Sequence, residues 1–174
     1  GAFEMAWLIA AAVLGVPSHF NRTGVWNAAY ALAGVGATLL LVVAAVQAVR
    51  IGRSSAPRLA PAYRLSIVIG GLSSLVTTLI VAGFLAKGQG HWVGTAASDA
   101  AGLPLLGWSR DGGDLRVAHF FATHAMQALP LAGFAATRLR LRAPVAWVWA
   151  ASLAYLALIA FSFIQALRAQ PFLG

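Results

Sequence analysis

The sequence predicts an all-α membrane protein, a polytopic bundle of about five transmembrane helices. Hydrophobic residues make up 60% of its 174 residues and charged residues only 9%, which is too little charge to cover a soluble protein of this size. Mean hydropathy is +0.81, and apolar runs of about 20 residues, enough to cross a bilayer, recur along the chain. We therefore predict one transmembrane helical domain over residues 1–174, with the lipid bilayer as its solvent.

The first apolar run, Ala2 to Val16, is closed by Pro17 and is short for a full span. It lacks the basic leading segment and the cleavage site of a signal peptide. Because Gly1 lies almost inside the run, we expect a fragment, a processed form, or a chain whose true first helix begins upstream. Glu4 then has two interpretations: an interfacial carboxylate or, with helix upstream, an intramembrane group suited to proton relay.

Two longer runs follow, from about Val25 to Val49 and from about Leu65 to Ala86. Between them lies a basic stretch whose prolines stop the second helix. Its arginines and prolines are Arg50, Arg53, Pro57, Arg58, Pro61 and Arg64. Each helix also carries small residues at every fourth position, a pattern that allows close helix packing. These residues are Ala29, Ala33 and Ala37 on the second helix and Ser66, Gly70, Ser74 and Thr78 on the third.

A long segment from Gly88 to Gly113, here named the outer loop, separates the third and fourth runs. Loops of this length are usually either functional or disordered, and two tryptophans in this one favour order. Its polar and aromatic residues include His91, Trp92, Asp99, Trp108, Arg110 and Asp111. The two aspartates either solvate the loop or pair with Arg110 or Arg116.

The fourth run begins after Asp114 and continues through Ala136, and the fifth extends from about Pro144 to Leu167. Asp114 follows two glycines and precedes an apolar helix, so its carboxylate is predicted to cap the first turn. Pro130 is expected to kink the fourth helix near its middle.

Arginine placement predicts the topology. The Arg50–Arg64 and Arg138–Arg142 loops together hold seven arginines and no acid, which places both on the cytoplasmic side by the positive-inside rule. Five spans then put the N-terminus in the cytoplasm and the C-terminus on the other side. The formal charge of +8 follows from these loops, so we predict no nucleic-acid partner. The chain has no cysteine, which excludes disulfides and thiolate metal sites.

The same topology sends all four histidines to the non-cytoplasmic side. One hypothesis is a site for a transition metal or a haem or other tetrapyrrole, since imidazole binds both. Its predicted metal ligands are His19, His91, His119, His124 and Asp114, and its predicted cofactor-binding residues are His119, His124 and Gln127. The alternative is that the histidines form hydrogen bonds between helices. His119 and His124 lie about 140° apart around one helix, so they cannot chelate one metal by themselves.

Two segments resemble a family of functionally unassigned bacterial polytopic membrane proteins. They are S-H-F-N at Ser18 to Asn21 and G-W-S-R-D-G-G-D-L-R-V-A-H-F-F-A-T-H-A-M-Q-A-L-P-L from Gly107 to Leu131. The resemblance implies a multi-pass protein of the bacterial inner membrane. It points to His19, His119, His124 and Gln127 and assigns no activity.

Two functions fit these features. The first is a non-enzymatic accessory or structural subunit of a membrane assembly, which contacts other membrane subunits or further copies of itself. Absence of a zincin signature, a G-x-S-x-G elbow and a nucleotide-binding glycine loop favours it. The second is a metal- or haem-binding redox or hydrolytic enzyme with its site at the non-cytoplasmic face, which the histidines favour.

Overall fold

A computed structural model describes residues 2–16, 24–55, 58–88, 90–95, 98–100 and 102–174, and the side chains of Phe3 and Glu4 lie outside this description. The described residues form five helices and one pair of two-residue strands, which confirms the predicted all-α fold. In chain order these are α1 (Ala2–Leu14), α2 (Gly24–Arg53), α3 (Pro61–Lys87), β1 (Trp92–Val93), β2 (Gly113–Asp114), α4 (Leu115–Arg138) and α5 (Pro144–Leu167).

Three of these helices, α2, α3 and α5, are long and apolar enough to cross a membrane. Within the most apolar part of α3 only 33% of the residues are buried, and within that of α5 only 22%. Their exposed surface is apolar, as shown by Val76, Leu153 and Phe161, which are 55%, 64% and 59% exposed. These helices therefore fit an integral membrane bundle whose surface contacts lipid. The apolar part of α1 is shorter, and α4 is the more polar long helix because it carries His119, Thr123, His124 and Gln127.

The chain divides into two compact units, residues 1–43 and residues 44–174. In the first unit, Trp7 and Ala11 are buried, and the Trp7 ring lies 6.4 Å from the Tyr30 ring. Of the small residues predicted to form a packing seam on α2, Ala33 is buried whereas Ala37 is exposed. The prediction of a single domain stays a prediction.

In the second unit, α4 packs against both α3 and α5. The side of α4 that faces them is built from small residues, and Ala118, Ala122 and Ala125 are fully buried. Val81 of α3 and Ile159 of α5 complete this core. Because the alanines occupy little space, the three helices approach closely without large interlocking side chains.

The small residues predicted to form a seam on α3 are all buried, and Gly70 and Ser74 lie against α4. Ser74 Oγ donates a hydrogen bond to the carbonyl oxygen of Thr123 at 3.0 Å. A Cβ atom at Gly70 would lie 2.9 Å from the carbonyl oxygen of Ala125 and 3.0 Å from Cδ of Pro130. Backbone therefore meets backbone at the predicted position of the proline kink.

The antiparallel order of α3, α4 and α5 gathers the loops at two ends. At one end Tyr63 lies 5.9 Å from Phe134 by ring centroids, so the basic stretch before α3 and the arginines after α4 share that end. At the other end, Gly113 packs closely on the carbonyl oxygen of Ala166, which places the outer loop beside the end of α5. Which end faces the cytoplasm stays a prediction from the arginines.

Candidate functional site in the outer loop

Main-chain pairing closes the outer loop at its two ends. β1 and β2 are antiparallel, with Trp92 opposite Asp114 and Val93 opposite Gly113. The N–H of Leu115 donates to the carbonyl oxygen of His91 at 2.9 Å. The start and the end of the loop are therefore joined directly above the first turn of α4. Sequence reasoning missed these strands because two residues are too few to show an alternating pattern.

Asp114, directly after the outer loop, has a fully buried side chain. Its Oδ1 accepts from the backbone N–H of Arg116 at 2.9 Å, which confirms the predicted helix cap. Its Oδ2 accepts from the backbone N–H of Ser109 at 3.0 Å and from Nη2 of Arg116 at 2.7 Å. Both oxygens are thus used inside the chain, and this geometry supports a structural role for Asp114 and adds no support for metal ligation.

Arg116 is the centre of the charged network. Its Nη1 and Nη2 donate to the Asp99 carboxylate at 3.1 Å and 2.6 Å, and its Nε donates to Asp114 at 3.0 Å. Nη2 also donates to the carbonyl oxygen of Gly107 at 2.7 Å, and the guanidinium lies 5.9 Å from the Trp92 ring centroid. One planar group therefore ties three parts of the loop to α4, a task that suits the five donors of arginine.

His91 lies beside this network. Its ring stacks on Trp92 with centroids 3.7 Å apart, and its Nε2 is 3.4 Å from Oδ1 of Asp99. Burial and the nearby charge of Arg116 lower the pKa of His91 below its usual range. Partial burial works to raise the pKa of Asp99, yet the hydrogen bonds and charge of Arg116 outweigh it and lower that pKa. Neutral His91 beside ionised Asp99 is the favoured state at neutral pH.

An aromatic cluster anchors the middle of the loop. Trp108 is 8% exposed, and its ring centroid lies 5.6 Å from that of Phe120 and 6.2 Å from that of Phe121. Phe172, beyond α5, lies 6.0 Å from the same ring. Since Phe120 is in the second turn of α4, the loop folds back along the helix there and does not project freely away from it.

The residues predicted on α4 lie on different sides of the helix. His119 is partly buried, and its Nδ1 has no hydrogen-bond partner among the described residues. His124 is exposed, and its Nδ1 lies 2.7 Å from the carbonyl oxygen of Phe120. A carbonyl only accepts, so Nδ1 donates this hydrogen bond. Gln127 is exposed as well.

The predicted metal ligands are only partly brought together. Within the described part of the chain, no three His, Asp or Glu side chains form a group that could hold a metal ion. His91 and Asp114 share the Arg116 network, whereas His119 and His124 show no contact with it. His19 lies outside the described residues. The metal and tetrapyrrole sites therefore stay predictions.

Comparisons with known proteins add nothing to this geometry. No family model, curated protein or solved structure matches the chain. The resemblance indicated by the segments Ser18 to Asn21 and Gly107 to Leu131 likewise stays a prediction.

Proposed function

We propose that this chain is a non-enzymatic accessory or structural subunit of a membrane assembly, and that the outer loop contacts its partner. The observation that carries the proposal is an apolar tip formed by Pro104, Leu105 and Leu106. All three residues are exposed, and Leu105 is exposed completely. Contiguous apolar side chains exposed on a surface are a feature of protein–protein and membrane contact sites.

The tip has a fixed shape. The N–H of Gly107 donates to the carbonyl oxygen of Leu103, and the N–H of Leu103 donates to that of Trp108, both at 2.8 Å. Below the tip, Arg116 holds the Gly107 carbonyl, and Trp108 is buried in the aromatic cluster. A preformed loop loses little conformational freedom when it binds, which favours association.

Leu105 also adopts an unusual backbone conformation, with φ at 68°. In this left-handed region a residue with a Cβ atom costs about 1 kcal/mol or more. The surrounding hydrogen bonds hold the residue there and present its side chain to the outside. Strain that is maintained at an exposed apolar position supports a role in contact.

The charged groups favour a structural role over chemistry. Arg116 donates hydrogen bonds to both Asp99 and Asp114, and His91 stacks on Trp92. These side chains fix the base of the tip. A subunit that acts through contact requires this kind of arrangement, because rigid support positions the contact surface.

Crosslinking tests the proposal. A photoreactive amino acid at position 105 is expected to crosslink to a second polypeptide in native membranes, and Leu105→Asp should abolish co-purification of that polypeptide. Leu139, 69% exposed at the opposite end of α4, provides the matched control for both changes. Crosslinks from position 105 to lipid alone, with the chain purified as an isolated monomer, would contradict the proposal.

A metal- or tetrapyrrole-binding enzyme is the second candidate, and one observation favours it. The buried Nδ1 of His119 lacks a partner among the described residues, and an imidazole nitrogen in that state is suited to a ligand. Metal analysis and an absorption spectrum of protein purified in mild detergent test this. About one metal per chain or a Soret band, lost in His119→Ala and retained in His91→Ala, would support it. A colourless, metal-free protein would exclude it.

A further inference from the structure

An open cavity of about 600 Å³ lies at the arginine-rich end of the second unit, whereas the outer loop follows the other end of α3. It is bounded by the last turns of α2 and the first turns of α3. Two arginines and several aliphatic side chains line it, among them Arg53, Arg64, Val49, Leu65, Val68 and Leu72. Cavities of this size hold small organic ligands or part of a larger one.

Glycines shape the contact between the two helices that form the cavity. A Cβ atom at Gly71 would lie 2.6 Å from Cβ of Ala48, so α2 and α3 meet closely there. Gly52 also lines the cavity, and a Cβ atom at that position would lie 2.5 Å from Cγ2 of Val68. The close approach of α2 to α3 beside the cavity therefore depends on the missing side chain of Gly52.

The polar side of the cavity is cationic. Arg53 and Arg64 line it, and Arg50 and Arg58 are close in sequence. Residues 44–98 contain no aspartate and no glutamate, so the segment that builds the cavity is strongly basic in sequence. Guanidinium groups bind phosphate oxygens through paired, charge-assisted hydrogen bonds, so a phosphate group is the ligand that this side fits.

The other side of the cavity is aliphatic and belongs to two membrane spans. Val49 is on α2 and Val68 and Leu72 are on α3, and both helices are long and apolar enough to cross a bilayer. The cavity lies at the ends of these spans, the level at which lipid phosphates lie. A ligand with a phosphate at one end and a hydrocarbon chain at the other fits this division of charge.

We propose that this cavity binds an anionic phospholipid, with Arg53 and Arg64 holding its phosphate and the aliphatic wall receiving the first part of an acyl chain. The site shares no residue with the outer loop. An experiment that contradicts lipid binding here would therefore not affect the subunit proposal. Its place beside the arginine loops also predicts that the lipid comes from the leaflet those loops face.

Native mass spectrometry of the full chain in detergent tests the proposal, with phosphatidylglycerol and phosphatidylcholine as probes at equal concentration. We expect preferential retention of one phosphatidylglycerol per chain. The double variant Arg53→Ala/Arg64→Ala should weaken this binding at least about tenfold, since two charge-assisted hydrogen-bonding groups are lost. The matched double variant Arg140→Ala/Arg142→Ala removes the same charge from the other arginine loop and should bind normally.

Two further experiments distinguish binding of a lipid from binding of a soluble phosphate compound. Leu72→Trp fills the aliphatic wall without changing the charge and should also weaken phosphatidylglycerol binding. Inorganic phosphate and glycerol 3-phosphate should not displace the lipid at equal concentration. Equal loss of binding in both double arginine variants, equal retention of the two lipids, or displacement by a soluble phosphate would each overturn the proposal. Elution of each variant as a single species in size-exclusion chromatography establishes that it is folded.

Discussion

At the scale of single residues, Arg116 and Asp114 hold the outer loop in place from its border with α4. Arg116 connects Asp99, Asp114 and the Gly107 carbonyl, so loss of this side chain should loosen several contacts together. Asp114 depends on it most, because its carboxylate is fully buried and a buried carboxylate without its cation is costly.

Arg116→Met is therefore expected to destabilise the protein by about 2 kcal/mol or more, the cost of losing charge-assisted hydrogen bonds to a buried group. Thermal unfolding in detergent, followed by circular dichroism, measures the change. Arg110 is exposed in the outer loop, and Arg110→Met serves as the control, with little expected effect. Similar melting temperatures for the two variants would show that the Arg116 network contributes little.

The lowered pKa of His91 predicts that the stability of the folded protein depends on pH. Because its pKa is lowered on folding, the folded state favours the neutral ring, and stability is lost as the pH falls below the ordinary value of 6.5. The lowered pKa of Asp99 adds a loss only below its ordinary value of 3.8. Between pH 8 and pH 5 the melting temperature should therefore fall, and His91→Gln should flatten this fall. An unchanged slope in the variant would contradict the role of His91.

At the scale of secondary-structure elements, the close contact between α3 and α4 depends on residues with small side chains. Ser74 bonds across to the Thr123 carbonyl, and Gly70 faces backbone atoms of α4. In a membrane, the hydrophobic effect does not drive helices together, because lipid tails are as apolar as the helix surfaces. Close packing and interhelical hydrogen bonds stabilise helix pairs there instead. The α3 seam is therefore a main support of the second unit.

Gly70→Ala should destabilise this unit by about 1–3 kcal/mol, because the added Cβ would force rigid backbone apart. Gly83 is on the same helix, and a Cβ atom added there would meet open space. Gly83→Ala should therefore be neutral or slightly stabilising, since alanine favours helix by up to about 1 kcal/mol. Melting temperatures of the two variants in one detergent make the comparison. Equal effects would mean that Gly70 does not limit helix approach.

The helices were predictable from the sequence where an apolar run and its flanking residues determine the bounds of the helix. The run from Pro144 to Leu167 matches α5, since proline starts it and polar residues follow it. The third helix begins earlier than its apolar run, at Pro61, because proline is well tolerated in a first turn. The partners of Arg116 were only partly predictable. Asp99 is 17 residues away from it, and no sequence period links two positions across an irregular loop.

For the whole molecule, the two arginine-rich segments share one end of the second unit and the outer loop lies at the other. This arrangement agrees with the predicted topology, in which arginines remain on the cytoplasmic side. The chain has no cysteine, so a single introduced thiol reports on one position without background labelling.

Asp111→Cys and Arg140→Cys test the topology, because both positions are exposed in the loops. In intact cells with a permeable outer envelope, an impermeant maleimide should label position 111 directly. Position 140 should react only after the membrane that holds the protein is opened. Labelling of both from the same compartment would invalidate the arginine-based orientation.

The conformation of Leu105 has a consequence for evolution and engineering. At φ 68°, glycine is the residue that would relieve the strain and raise stability. Selection for thermal stability alone would favour that replacement. The thermostabilised variant would then lack the Leu105 side chain at the loop tip. A chain improved in this way would survive heating better while losing the side chain that we assign to partner recognition.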